Sequence, residues 1–224
     1  MNYEIFDVET TTRNKGDPYD KENSVVFWGY RTSDSDVVCS RTPRSFDVGR
    51  TLVGFNLKFD LTWAKRYGIL LDNLKVWDCQ LAHFLLTGQS NPYPSLNGVS
   101  EVLGLPKKLD EVKQYWASGI DTRDIPPDIL TDYLKQDLLV TELVFKRQLD
   151  AFEKNPQLYK LFQLQCEDLL TLLEMEWNGL EVDVVGCKQK EQETEEQLKE
   201  IDKTLNDLFE DKPINFNSRM PSLG

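Results

Sequence analysis

Histidine occurs once in this chain, at position 83, and cysteine four times, at positions 39, 79, 166 and 187, with no CxxC pair. So few soft ligands, spaced so widely, exclude a zinc cluster and a disulfide framework and suit a reducing cytosol. His83 lies in the mostly apolar segment QLAHFLL, with no nucleophile or metal motif around it, and reads as a packed core imidazole. No apolar run approaches the roughly 20 residues of a membrane helix, and the N-terminus lacks a charged-then-apolar signal. The expectation is a cytoplasmic protein with no membrane partner. Internal repeats and low-complexity segments are absent too, which leaves out repeat arrays.

Positive charge is also in short supply, with 26 Lys and Arg against 38 Asp and Glu and a net charge of −12. A bulk charge of that sign argues against a nucleic-acid partner, but its distribution matters more. Residues 1–154 carry 19 basic against 23 acidic side chains, a net of −4, and residues 155–224 carry 7 against 15, a net of −8. The run EQETEEQLKEIDK reads as a solvated helix face. What is present in quantity is core material, 40% hydrophobic with 11% aromatic. That is enough for one good-sized domain with an appendage, or for two small domains.

Strand signals come first: YEIFDV, then SVVFWGYR and DVVCS joined by TSDSD, then RTLVGFN. Helical spacing follows in LKFDLTWAKRYG, closed by Gly68, and Asp78 reads as the N-cap of a helix ending at Gly88. Shorter helical pieces follow at SLNGVSEVLG and DEVKQYWASG. From Pro126 the chain predicts one long helix, from Pro156 a second that Gly179 ends, and over Val184 to Phe209 a polar third. Strands first and helices later predict a mixed α/β core, residues 1–154, with a helical extension, residues 155–224.

The segment DVE in the first strand poses a physical problem. Strand side chains alternate, so Asp7 and Glu9 share a face, and they repel by about 2–3 kcal/mol at an effective dielectric near 20. Asp60 opens a helix after a buried strand. Asp137 shares a helix face with Tyr133, Val140 and Val144, which points it inward without an evident cationic mate. Each alone has an ordinary reading: a surface acid pair, a first-turn carboxylate, a helix pair. Divalent metal resolves all three, because Mg²⁺ prefers carboxylate and water oxygens, and two ions about 4 Å apart suit in-line phosphoryl displacement.

The ordered set FDVETTT, GFNLKFD and YLKQD resembles the three exonuclease motifs of the DEDD superfamily in its tyrosine-containing branch. GFNLKFDLTWAKRYGI, WDCQLAHFLL and the spacing to YLKQD are similar to the proofreading domain of family A DNA polymerases, over about Asn2 to Asp150. LLTLLEMEWNGLEVD, the polar helix and INFNS are similar to the connection into the polymerase thumb. The resemblance implies a ribonuclease H-like fold with the acids at one end of the sheet. It also implies a 3′–5′ exonuclease that uses two divalent ions, Mg²⁺ or Mn²⁺, to release nucleoside monophosphates from DNA. Asp7 would bridge both ions, Glu9 and Asp137 would complete the first site, and Asp60 would help hold the second. Tyr133, as a neutral phenol, would orient the attacking water with Glu9. Asn56 would contact the strand near its end, Thr10 would place the terminal nucleotide, and Phe59 stands where relatives often have tyrosine.

The expected partner is a single-stranded or frayed DNA 3′ end, with a separate polymerase chain as a further candidate; the oligomeric state stays open. Arg41, Arg44, Arg50, Lys107, Lys108 and Lys113 could track phosphates or be scattered surface charges. Trp28, Trp63, Trp77 and Trp116 could be core, or one could stack a base. Nothing after Ser218 supplies palm carboxylates, so polymerase activity is not expected, and a truncated or split enzyme is. With six residues before Asp7, no 5′-nuclease domain is expected, as in many viral members, for which the location would be the host cytoplasm. A ribonuclease D-like exoribonuclease and an assembly module that docks a polymerase chain through the acidic tail are the competing readings.

Overall fold

The aromatic and β-branched run at Tyr3–Thr10 forms β1, the central strand of a five-stranded sheet. The computed structural model describes residues 1–91, 93–106 and 111–208. On one side β1 pairs antiparallel with β2 (Val25–Thr32), which pairs antiparallel with β3 (Val38–Ser40). On the other it pairs parallel with β4 (Thr51–Gly54), which pairs parallel with β5 (Lys75–Asp78). The sheet order is therefore β3-β2-β1-β4-β5. Helices α1 (Leu57–Arg66), α2 (Cys79–Leu86), α3 (Leu96–Val102), α4 (Glu111–Ala117), α5 (Pro127–Glu153) and α6 (Pro156–Asn178) flank it. The helix expected at Asp78 is present and is capped by that residue, but β5, which leads into it, carries no strand signal of its own. Only four residues long, it owes its extended form to pairing with β4.

Alternation along β1 sorts the core into two layers. Tyr3 and Ile5 pack with Phe27, Val53 and Trp77 beneath α5, whereas Phe6 and Val8 pack with Trp28, Leu52 and the α1 residues Leu61 and Trp63. Trp28, Trp63 and Trp77 are fully buried core, and Trp116 is half-buried. Trp77 meets Phe145 edge-on at 5.0 Å and Phe162 at 4.6 Å, contacts of about 0.5–1.5 kcal/mol each beyond area burial.

Two polar anchors fix α5 on the sheet. Gln148 accepts from Trp77 Nε1 at 3.0 Å and donates to the Cys79 carbonyl at 2.8 Å. Glu142 accepts from the Tyr3 hydroxyl, from Arg31 Nε at 2.8 Å and from Lys146 Nζ at 2.9 Å. Burial alone would raise the Glu142 carboxyl, but its bonds from Tyr3, Lys146 and Arg31 outweigh burial and hold it below the ordinary 4.5. A depressed folded value means stabilisation that is present above pH 4.5 and lost as pH falls through the folded pKa. Glu142→Gln is therefore expected to lower the melting temperature at pH 7 and to do so less at pH 3. Equal losses at both pH values would remove this linkage.

Contacts divide the chain into Met1–Asn178 and Gly179–Gly224. The boundary expected after residue 154 falls inside the first unit, at the α5–α6 junction, because α6 buries Phe162, Cys166, Leu169 and Leu173. In the second unit α7 (Val184–Leu208) buries no residue, as its acidic run anticipates. Phe209 and the INFNS segment lie outside the described residues. No helix among the described residues is long and apolar enough to cross a membrane.

Candidate active site

Asp7 and Glu9 continue the parity of Tyr3 and Ile5, so they face α5. That helix brings Asp137, 5% exposed, to the same place. Asp7, Glu9 and Asp137 each offer a carboxylate oxygen, and these oxygens lie within 4.8 Å of one another. Asp7 and Asp137 open into a cleft of about 410 Å³ also lined by Asn56, Gln80, Tyr93 and Lys113. Three carboxylates this close are costly without compensating charge, and an all-oxygen set of this kind fits a hard divalent cation such as Mg²⁺ or Mn²⁺.

Asp60 reaches the site from the other layer and does not belong to that group of three. Pairing of β1 with β4 runs only to Ile5↔Val53, and beyond it the Val8 N–H donates to Asp60 Oδ1 at 3.3 Å. Burial, and then the charge of Asp7, push the Asp60 carboxyl well above the usual range. It therefore sits where a cation that neutralised Asp7 would also relieve it.

Tyr133 is buried one turn before Asp137, and Trp116 of α4 meets its ring edge-on at 5.9 Å. Trp116 Nε1 donates to Thr122 Oγ1 at 3.1 Å, which fixes the indole. Asn56 is exposed at the head of α1 in the left-handed conformation, φ 61°, and lines the cleft. Thr10 is half-buried at the irregularity that ends β1–β2 pairing, and the returning 13–16 turn passes close to its hydroxyl. Phe59 is half-buried against the α1 layer, its ring directed at that turn.

Several side chains singled out by sequence have other duties. Arg44 lies over the Tyr30 ring and pairs with buried Glu4, and Arg50 pairs with Asp34 at 3.0 Å and Asp47 at 3.2 Å. Arg41 lies over Phe27. Of the six basic residues considered, Lys113 lines the cleft, and Lys107 and Lys108 lie outside the described residues. His83 is buried, and burial lowers its pKa, as for a core imidazole. Gln80 and Tyr93 were not foreseen as cleft residues; a lone glutamine and a loop tyrosine give no pattern to read.

No family model matches the chain. A DNA polymerase I of Aquifex aeolicus is 29% identical over 205 residues, covering 81% of this chain. The chain spans about a third or less of the length of the polymerases it matches. Among solved structures, the POL domain of Pol1 from M. smegmatis, in complex with DNA primer-template and dNTP, superposes with a TM-score of 0.70 at 15% identity. It covers 97% of this chain and 35% of that one. Brucella melitensis NrnC with bound Mg²⁺ gives 0.59 at 17% identity, over 81% and 89% of the two chains. These neighbours share with this chain a ribonuclease H-like α/β fold.

Proposed function

We propose that the chain is a divalent-metal-dependent 3′–5′ exonuclease that hydrolyses DNA from the 3′ end to nucleoside monophosphates, a proofreading activity within a polymerase or polymerase complex. The observation that carries the reading is the convergence of Asp7, Glu9 and Asp137 at the mouth of a cleft. Similarity to DNA polymerase I of Aquifex aeolicus supports it.

Asp7, Glu9 and Asp137 would hold one ion, and Asp7 with Asp60 would hold a second. When bound, such ions supply Lewis acidity to the phosphoryl group and make neutral-pH hydrolysis accessible. The chain's own groups do the positioning. Asn56 presents an amide to the terminal nucleotides, Thr10 and Phe59 border their seat, and Lys113 offers a cation to a phosphate. An ordinary phenol stays protonated at neutral pH, so Tyr133 would act as a hydrogen-bonding group that orients water alongside Glu9. Trp116 packs edge-on against its ring and helps seat the side chain one turn before Asp137.

The deciding assay follows matched DNA and RNA oligonucleotides labelled at the 5′ end, with Mg²⁺ or EDTA. A ladder shortening from the 3′ end on DNA, abolished by EDTA, is the expected result. Faster loss of the RNA strand would transfer the assignment to an exoribonuclease, and inertness on both would overturn it.

A further inference from the structure

Asp78, which ends β5, is a buried carboxylate near enough to Asp60 for its charge to be felt there, and it lies outside the group of three. Its Oδ1 accepts the N–H groups of Gln80 at 2.8 Å and Leu81 at 3.1 Å, the usual bonds of an N-cap to its own helix, α2. Its Oδ2 turns to a different helix and accepts the Leu57 N–H at 2.7 Å, with the Asn56 N–H also contributing. One carboxylate thus caps two helices. Asparagine is a strong capping residue, yet the Asn56 side chain makes no cap bond to α1. Instead it lies exposed at the cleft.

We propose that Asp78 is a positioning residue of the exonuclease site, capping α1 in place of Asn56. It thereby fixes Asp60 against β1 and leaves the Asn56 amide to the substrate strand. The proposal rests on the exonuclease reading given above. Asp60 lies one turn beyond Leu57, so the bond that pins the helix start also pins the carboxylate that meets the Val8 N–H. Both oxygens of Asp78 already accept helix N–H groups, which satisfies this buried charge and makes it a scaffold rather than a cation ligand. Burial pushes its pKa up while the four N–H groups, led by Leu81 and Leu57, pull it back.

The test uses the full chain and two variants. Asp78→Ser keeps a side-chain oxygen near enough to cap α2 but too short to reach Leu57. Mn²⁺ binding to metal-free protein is measured by calorimetry well below the melting temperature, and kcat and KM are taken on a DNA oligonucleotide. The expected result is Mn²⁺ affinity and kcat lower by about 10–100-fold, as when a residue that orients a ligand is lost, with a smaller change in KM. A merely structural cap would lower the melting temperature and leave Mn²⁺ affinity of the folded protein unchanged, and that outcome overturns the proposal.

Asn56→Gly probes the other half, and should Asp78→Ser not fold, Asp78→Asn, which keeps one acceptor oxygen, takes its place in the Mn²⁺ measurement. Glycine suits the left-handed position, so unchanged stability with a raised KM is expected. A drop in melting temperature with unchanged KM would show Asn56 itself to be the cap. If wild-type protein hydrolyses no 3′ end, the exonuclease reading fails. If wild type is active and both variants match it, only the Asp78 assignment fails.

Discussion

Asp7→Ala is expected to slow release of 3′ nucleotides in Mg²⁺ by about 10³-fold or more, with the folded structure retained. Losing the carboxylate shared by both proposed ions removes several kcal/mol of transition-state stabilisation, and each 1.36 kcal/mol is a factor of ten. The same substitution should separate activity from stability. Wild-type protein should gain about 2.7 kcal/mol when Mg²⁺ reaches a hundredfold excess over its dissociation constant, and Asp7→Ala should gain far less. Without metal the variant should ease the burial of Asp60, because the charge of Asp7 is one of the three causes that raise its carboxyl. Steady-state hydrolysis and melting curves with and without Mg²⁺ check both statements. A variant with the wild-type rate, or a wild-type melting temperature indifferent to saturating Mg²⁺ or Mn²⁺, would sink the metal-site reading.

Gly29→Val is expected to damage the site without touching any acid. Gly29 pairs with Asp7 across β1–β2, on the face that α5 covers. A Cβ there would stand 2.8 Å from Leu138 Cδ1 and 2.9 Å from Leu134 Cδ1, closer than atoms in proteins approach. Those leucines directly follow Asp137 and Tyr133, so a helix pushed outward carries both groups away from Asp7 and Glu9. Overpacking of this kind costs about 1–3 kcal/mol, and a displacement of about 1 Å can cost 10²-fold in rate. Melting temperature and rate should therefore fall together. Gly29→Val combined with Leu138→Ala should recover part of each, because the second change vacates the space the first one needs. Wild-type stability and rate in Gly29→Val alone would show that helix approach does not set the geometry.

The acids were legible in the sequence because their cost was legible. Asp7 and Glu9 share a strand face and Asp137 points inward from a helix stripe, placements that periodicity alone reveals. β1, α1 and α5 followed from periodicity for the same reason: each carries its pattern in its own residues. β5 did not, because four residues with no alternation become a strand only through their neighbour β4. The division at Asn178 was hidden in a similar way. The spacing of Phe162, Cys166, Leu169 and Leu173 marks an apolar stripe, but a stripe does not name the surface it covers. The second role of Asp78 lay furthest from view. Its bond to Leu57 spans 21 positions and depends on β4 and β5 lying side by side.

The placement of Asp7 on the central strand bears on the strength of ion binding. β1 is held by β2 along almost its whole length and by β4 at its start, and α5, the other ligand carrier, is anchored through Glu142 and Gln148. Gathering three carboxylates from a flexible chain would cost about 1–2 kcal/mol of backbone entropy for each residue ordered. Here that freedom is already lost when the domain folds. At the proposed site the folded chain would therefore act as a multidentate chelator: an arriving cation would meet its ligands in place, and the entropy gained by its released water would not be spent on ordering the protein.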